Sequence, residues 1–287
     1  MAKKYFTIII PTLNEEKRLP NLLNDLNRQT FKDFSVIVVD AMSKDATTKI
    51  ALKHNAKVIV SDQKNVSHQR NLGAKHSESE WTVFMDADNR IPKNYLQKIN
   101  NYIVTANPDI LSTWITPDSI LKKDKITATF MNIFMEINKN ASRPYVLESM
   151  IFIKTKIFKT LKGFNASVPW GEGEDLLGRA HNRGIRFEML RDPKYKYSFR
   201  RLKKTGTFKM LQKISQIEII KIVKGELTSK DAHFFYPMSG GTFYKNGDEP
   251  KMTLQKFISI LFQDKEVSSK SLSSFKKNVD TWKGFFR

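Results

Sequence analysis

Four short apolar runs punctuate the first third of the chain. They cover residues 6–10 (FTIII), 34–39 (FSVIVV), 57–60 (KVIV) and 81–85 (WTVFM). They are brief, rich in β-branched and aromatic residues, and closed by Pro or Asp, so they read as strands rather than helices, the first two of them buried. Between them the period changes. Leu19, Leu22, Leu23 and Leu26 recur at helical spacing, residues 47–54 carry a helical pattern with Ile50 and Ala51 inward, another helix begins at Gln69, and residues 92–104 are helical again. Strands alternating with helices over residues 1–110 predict an α/β fold: a mostly parallel sheet with helices on both faces.

In such a sheet the ligand lies beyond the carboxyl ends of the strands. The polar residues gather there: Pro11, Thr12, Asn14 and Glu15 after the first run, Asp40 after the second, and Asp86-Ala87-Asp88 after the fourth. An Asp-x-Asp pair alone is weak evidence, because aspartates cap helices and end strands in every fold. At a parallel sheet's carboxyl edge the same pair can share a hard divalent cation that keeps coordination positions for phosphate oxygens.

The chain of 287 residues is long enough for one large domain, or for one domain with an appendage. It has no cysteine, which removes disulfides, thiolate-bound zinc and thiol catalysis and leaves any metal to oxygen or imidazole ligands. No apolar run is long enough for a signal peptide core or a bilayer span, so the expected compartment is the cytoplasm. The net charge of +20 asks for an anionic partner such as a phosphorylated substrate, an anionic membrane surface or nucleic acid.

Residues 110–115 and 150–153 are further strand candidates, residues 122–140 an amphipathic helix with Ile126, Phe130, Ile133, Phe134 and Ile137 on one side, and residues 156–161 helix-like. The stretch Trp170-Gly171-Glu172-Gly173-Glu174-Asp175 leads into a helix through Leu176, Leu177, Arg179 and Ala180 that Gly184 stops. From Arg200 onward the chain reads as basic amphipathic helix, interrupted at residues 236–241. This organisation divides into a catalytic domain over residues 1–200, with a nucleotide-binding half (1–110) and an acceptor half (111–200), and a helical region over 201–287 packed on it or on a membrane surface.

The order strand, P-T-L-N-E, strand ending in Asp40, then H-Q-R-N-L-G and F-M-D-A-D, resembles the family 2 inverting glycosyltransferases with the nucleotide-diphospho-sugar-binding GT-A fold, over about residues 5–190. The resemblance implies that Pro11, Thr12, Asn14 and Glu15 lie in the loop holding the nucleoside and that Asp40 hydrogen-bonds the base. It implies that Arg70, with Asn71 and Gly73 after it, faces the diphosphate. Asp86 would lie near ribose and metal, and Asp88 would ligate Mn2+ or Mg2+ directly. The donor would be a UDP- or GDP-sugar.

An inverting transfer to a hydroxyl needs a general base. In the family a Glu-Asp pair near the start of a helix supplies it. With that pair as anchor the base is Asp175, supported by Glu174. Counting back from Arg179 instead puts Gly173 at the base position, between Glu172 and Glu174.

Lys194, Lys196, Arg200, Arg201, Lys203 and Lys204 lie among Tyr195, Tyr197 and Phe199, a pattern that suits an anionic lipid surface or a lipid-linked phosphate. The expected acceptor is therefore lipid-linked or a glycan, and the protein is expected at the cytoplasmic face of a membrane. His233 reads as a packed histidine rather than a late metal ligand. The Gln-x-x-Arg-Trp signature of processive synthases is absent, and no Gly-rich loop follows the first strand to grip a nucleoside triphosphate. The rival readings are a basic nucleic-acid-binding protein, for which no binding motif is present, and a catalytically inactive GT-A scaffold.

Overall fold

A computed structural model describes residues 4–168 and 170–224. The packed His233, the interruption at residues 236–241 and the rest of the helical region expected beyond residue 224 lie outside the described residues. One seven-stranded sheet carries the fold. Its strands are β1 (Phe6–Thr12), β2 (Phe34–Asp40), β3 (Lys57–Val60), β4 (Trp81–Met85), β5 (Ile110–Pro117), β6 (Met150–Lys154) and β7 (Phe187–Tyr197), in the order β3-β2-β1-β4-β6-β5-β7. The neighbours β3-β2, β2-β1, β1-β4 and β5-β7 are parallel, and β6 runs antiparallel to both β4 and β5. The mostly parallel α/β sheet expected from the alternating periods is what forms.

The register decides where chemistry can sit. Thr12 pairs with Asp40, and Asp40 with Val60, so the three leading strands end level with one another. Every residue of β1 and β4 is buried, as central strands of the sheet require, while β3 lies at one edge and leaves Lys57 and Val60 exposed. Between the strands run α1 (Leu19–Asn27), α2 (Thr47–Lys53), α3 (Val66–Lys75) and α4 (Tyr95–Ala106). Helix α3 presses hard on the sheet: a Cβ at Gly73 would lie 2.5 Å from Ile9 Cγ2 and 2.9 Å from Val39 Cγ2. Gly73 is thus a packing glycine, and a methyl there would overpack the core at a cost of about 1–3 kcal/mol.

Helix α5 (Lys122–Asn138) departs from the usual amphipathic arrangement. Its buried side holds Asp124, Ala128, Asn132 and Met135, and its apolar row Ile126, Phe130, Ile133, Phe134 and Ile137 is exposed. Asn132 explains the inward polar face: its Oδ1 accepts from Ile115 N (2.8 Å) and its Nδ2 donates to Ile115 O (2.9 Å), which satisfies the β5 backbone where the β5-β7 register slips. The short α6 (Thr155–Thr160) follows β6. Helix α7 (Glu172–His181) starts from Gly171, whose φ of 77° is left-handed and favours glycine. Helices α8 (Arg200–Thr205) and α9 (Thr207–Lys224) close the described chain.

Of the basic and aromatic residues read as suiting an anionic lipid surface, Lys194, Tyr195, Lys196 and Tyr197 end β7, and Arg200, Arg201, Lys203 and Lys204 lie in α8. Lys194 and Lys196 point outward, and Tyr195 between them is fully buried, with its hydroxyl 2.9 Å from Ser149 Oγ.

Candidate active site

A cavity of about 320 Å³ opens at the carboxyl ends of β1 and β4. Six segments supply its charged wall: Glu15 follows β1, Arg70 stands on α3, Asp86 and Asp88 follow β4, Glu148 precedes β6, Glu172 and Glu174 open α7, and Arg200 opens α8. Pro11 and Thr12 line it as well, at the tip of β1.

Two arginines organise the acids. Arg70, only 3% exposed, donates from Nη1 to Glu172 Oε1 and from Nη2 to Asp86 Oδ1, both at 2.9 Å. Burial alone would make Arg70 easier to deprotonate, but Asp86 and Glu172 more than offset this and raise its pKa further. Phe164 lies under its guanidinium, 5.4 Å from ring centre to Cζ. Arg200 grips Glu15 with two hydrogen bonds, Nη2 to Oε1 at 2.7 Å and Nη1 to Oε2 at 3.1 Å, and its Nε lies 2.9 Å from Asp88 Oδ2. Burial pushes the carboxyls of Glu15 and Asp88 above their usual range, with Arg200 pulling each back.

Of the residues expected to hold the nucleotide, Pro11, Thr12, Glu15, Arg70 and Asp86 line this cavity, and Asn14 and Asp40 do not. Asp40 is buried, and its carboxylate accepts from Thr12 Oγ1 (2.8 Å), Ser43 N (2.8 Å) and Ser43 Oγ (2.5 Å). Asn14 has a left-handed φ of 55° and accepts from Lys44 N through Oδ1 at 2.8 Å. Both hold the loop rather than face the cavity. Asn71 does the same for the turn at Phe164, which it bonds at both N (2.9 Å) and O (2.8 Å).

The two acids expected to serve as base part company. Glu174 lines the cavity. Asp175 is outside that lining, held by Arg179 through Nη2 (2.6 Å) and Nε (2.9 Å). Arg179 in turn donates to the carbonyls of Leu161 and Gly163, so the pair ties α7 to the loop after α6. The sequence pattern gave no sign of Glu148 and placed Arg200 only within a basic cluster suiting a lipid surface or a lipid-linked phosphate. Only the fold brings Arg200 beside Glu15, 185 positions away.

Asp86 and Asp88 suit one kind of ion. Among the described residues no group of three or more Asp, Glu or His is arranged to hold a metal. A hard cation that takes one or two protein carboxylates and completes its shell with substrate oxygens fits this donor set, whereas a closed all-protein site does not.

A family model for glycosyl transferase family 2 matches residues 7–162. The poly(ribitol-phosphate) beta-N-acetylglucosaminyltransferase TarS of Staphylococcus aureus is 24% identical over 241 residues, covering 79% of this chain and 41% of TarS. TarP of the same species is 28% identical over 116 residues, 38% of this chain and 36% of TarP. The chain therefore spans less than half the length of these curated relatives. The structure of S. aureus TarS 1-349 in complex with UDP-GlcNAc matches with a TM-score of 0.58 at 21% identity, over 91% of this chain and 82% of that one. A mannosyltransferase from Pyrobaculum calidifontis in complex with GDP-Man and Mn2+ matches with a TM-score of 0.60 at 14% identity, over 99% and 83%. Identities this low speak for a shared GT-A fold. The family model, spanning more than half of the sequence, carries the assignment: this chain belongs to glycosyl transferase family 2.

Proposed function

We propose that this protein transfers a sugar, with inversion, from a UDP- or GDP-sugar to a lipid-linked or glycan acceptor, with Mn2+ or Mg2+ as cofactor. The observation that carries the reading is the cavity at the carboxyl edge of β1 and β4, where Arg70, paired with Asp86, and Asp88 line one space open to ligand. TarS and the Pyrobaculum enzyme bind UDP-GlcNAc and GDP-Man respectively, which supports a nucleotide-sugar donor here.

Pro11, Thr12 and Glu15 would border the nucleoside, with Asp40 and Asn14 fixing the loop that carries them. Arg70 would stand at the diphosphate. Asp88, with Asp86, would hold the divalent ion, which when bound neutralises charge on the departing diphosphate. Inversion requires the attacking oxygen and the diphosphate on opposite faces of the anomeric carbon, and a carboxylate on the acceptor side to take the proton. Of the two acids expected at the base position, Glu174 lies on the cavity wall and Asp175 is engaged by Arg179.

The exposed row of α5 supports an acceptor presented at a membrane. Ile126, Phe130 and Ile133 share one surface groove with Lys122 and Lys125, the pairing of apolar and cationic side chains that an anionic bilayer surface accommodates. Among the described residues no helix is long and apolar enough to cross a membrane.

The test is a thermal-shift and nucleotide-release panel of common UDP- and GDP-sugars with Mn2+ or Mg2+. One donor should raise the melting temperature in a metal-dependent way and release its nucleotide, and Asp88→Ala should lose both. No response to any donor would sink the reading. Salt-dependent nucleic-acid binding unchanged by Asp88→Ala would favour the nucleic-acid alternative, and donor binding without turnover would favour an inactive scaffold.

A further inference from the structure

Gly173 is the second residue of α7, and its backbone is not in the left-handed region, so its conformation does not call for glycine. Space does. A Cβ there would fall 2.7 Å from Glu148 Cγ, 2.9 Å from Glu148 Oε1 and 2.9 Å from Val146 Cγ1. The volume that a side chain at 173 would fill is taken by the carboxylate of Glu148, which enters from the segment before β6.

The carboxylate is fixed there. Gly173 N, one of the open donors at the α7 N-terminus, bonds Glu148 Oε1 at 3.0 Å, and the helix end favours negative charge at that point. Glu148 lines the cavity alongside Asp86, Asp88 and Glu172. On the same wall Glu15 pairs with Arg200, Asp86 and Glu172 pair with Arg70, and Asp88 lies beside Arg200. A base hydrogen-bonded to a guanidinium is a weak one, since the cation stabilises its ionised form. The partner of Glu148 is a backbone N–H.

We infer that Glu148 is the general base of the transfer, delivered from the β6 side into the space that Gly173 leaves open on α7. The inference rests on the reading of the cavity as a sugar-transfer site. The acceptor O–H gives its proton to the Glu148 carboxylate as its oxygen lone pair forms the bond to the anomeric carbon. The bond from that carbon to the diphosphate oxygen breaks, and its electron pair leaves with the nucleoside diphosphate. Water attacking in place of the acceptor loses its proton in the same way. Burial and the neighbouring Glu172 push the Glu148 carboxyl up to about 8, against the opposing pull of Arg70, which makes it a stronger proton acceptor than an exposed glutamate.

Full-length wild type, Glu148→Gln and Glu148→Ala would be compared in metal-dependent nucleotide release from whichever UDP- or GDP-sugar the wild type cleaves, with donor affinity measured alongside. The expected result is a loss of roughly 100-fold or more in turnover, donor affinity within about threefold of wild type, and partial recovery of Glu148→Ala, but not Glu148→Gln, in sodium formate relative to sodium chloride. A small carboxylate restores a missing base and does not restore a merely structural side chain. Turnover of Glu148→Gln within threefold of wild type overturns the inference and leaves the transferase reading standing, and so does absence of formate recovery. A variant that loses donor affinity in step with turnover also overturns it, by making Glu148 a binding group. A wild type that releases no nucleotide from any donor overturns both.

Discussion

Arg200 Nε lies 2.9 Å from Asp88 Oδ2 while the two Nη atoms of the same guanidinium hold Glu15, so a side chain from α8 spans the Asp-x-Asp motif and the loop after β1. That cation stands where a divalent ion would need Asp88. The two would compete, and Arg200→Ala is expected to tighten Mn2+ binding in the absence of nucleotide by roughly tenfold, about 1.4 kcal/mol. The same variant should weaken binding of the nucleoside diphosphate, whose charge Arg200 would otherwise meet. Calorimetric titration with Mn2+ alone, then with UDP or GDP, separates the effects. Unchanged or weaker Mn2+ binding would mean that Arg200 and the ion do not share Asp88.

The pair Asp175-Arg179 predicts a structural phenotype. Both side chains are about one-third exposed, so the ion pair itself is worth about 1 kcal/mol or less, but Arg179 also carries the carbonyls of Leu161 and Gly163. Asp175→Ala should lower the melting temperature by about 2–4 °C and leave nucleotide release within threefold of wild type. A large loss of turnover at unchanged melting temperature would return Asp175 to the chemistry.

What the sequence revealed and what it hid follow from how local each signal is. The strand at residues 6–10 and the strand at 81–85 were legible because burial on both faces leaves an unbroken apolar run. The places of Glu15 and Asp86 on one cavity followed from strand ends in a parallel sheet, and that of Arg70, on α3, from the family resemblance. Strand β7 was hidden by its lysines, although Lys194-Tyr195-Lys196 alternates out, in, out as a half-buried strand should. The outward apolar face of α5 was hidden because an amphipathic pattern says that one side is apolar and not which side meets the core. Glu148 gave no signal at all, since nothing near residue 148 reports the glycine 25 positions later whose missing side chain makes room for it.

The apolar row of α5 predicts a salt-sensitive attachment. Phe130 and Ile137 are 72% and 75% exposed, and Lys122 and Lys125 border the groove that Ile126 and Phe130 line. The protein should sediment with phosphatidylglycerol vesicles and not with phosphatidylcholine vesicles, less so as salt rises. Phe130→Ser/Ile137→Ser should reduce vesicle binding at least tenfold, because each removes about 1.5–3 kcal/mol of apolar burial. If those substitutions abolish self-association and leave vesicle binding intact, the row is covered by a second copy of the chain.

The Glu148 carboxyl also predicts how stability varies with pH. Its pKa stands at about 8 in the folded protein, against 4.5 ordinarily, because burial and Glu172 both disfavour the ionised form. A raised folded-state pKa contributes stability that is fully present below pH 4.5 and is lost as pH climbs through 8. Wild type should therefore weaken across that window by an amount on the order of a few kcal/mol, and Glu148→Gln, which cannot ionise, should not share the loss. Melting curves from pH 5 to pH 9 in EDTA test this directly. The Gln variant should match or trail wild type at pH 5, where the wild-type carboxyl is mostly protonated and already neutral, and should melt higher at pH 9. A difference between the two proteins that stays constant across the range would show that Glu148 ionises normally, and that the wall formed by Glu148, Glu172 and Arg70 is wetter than its packing indicates.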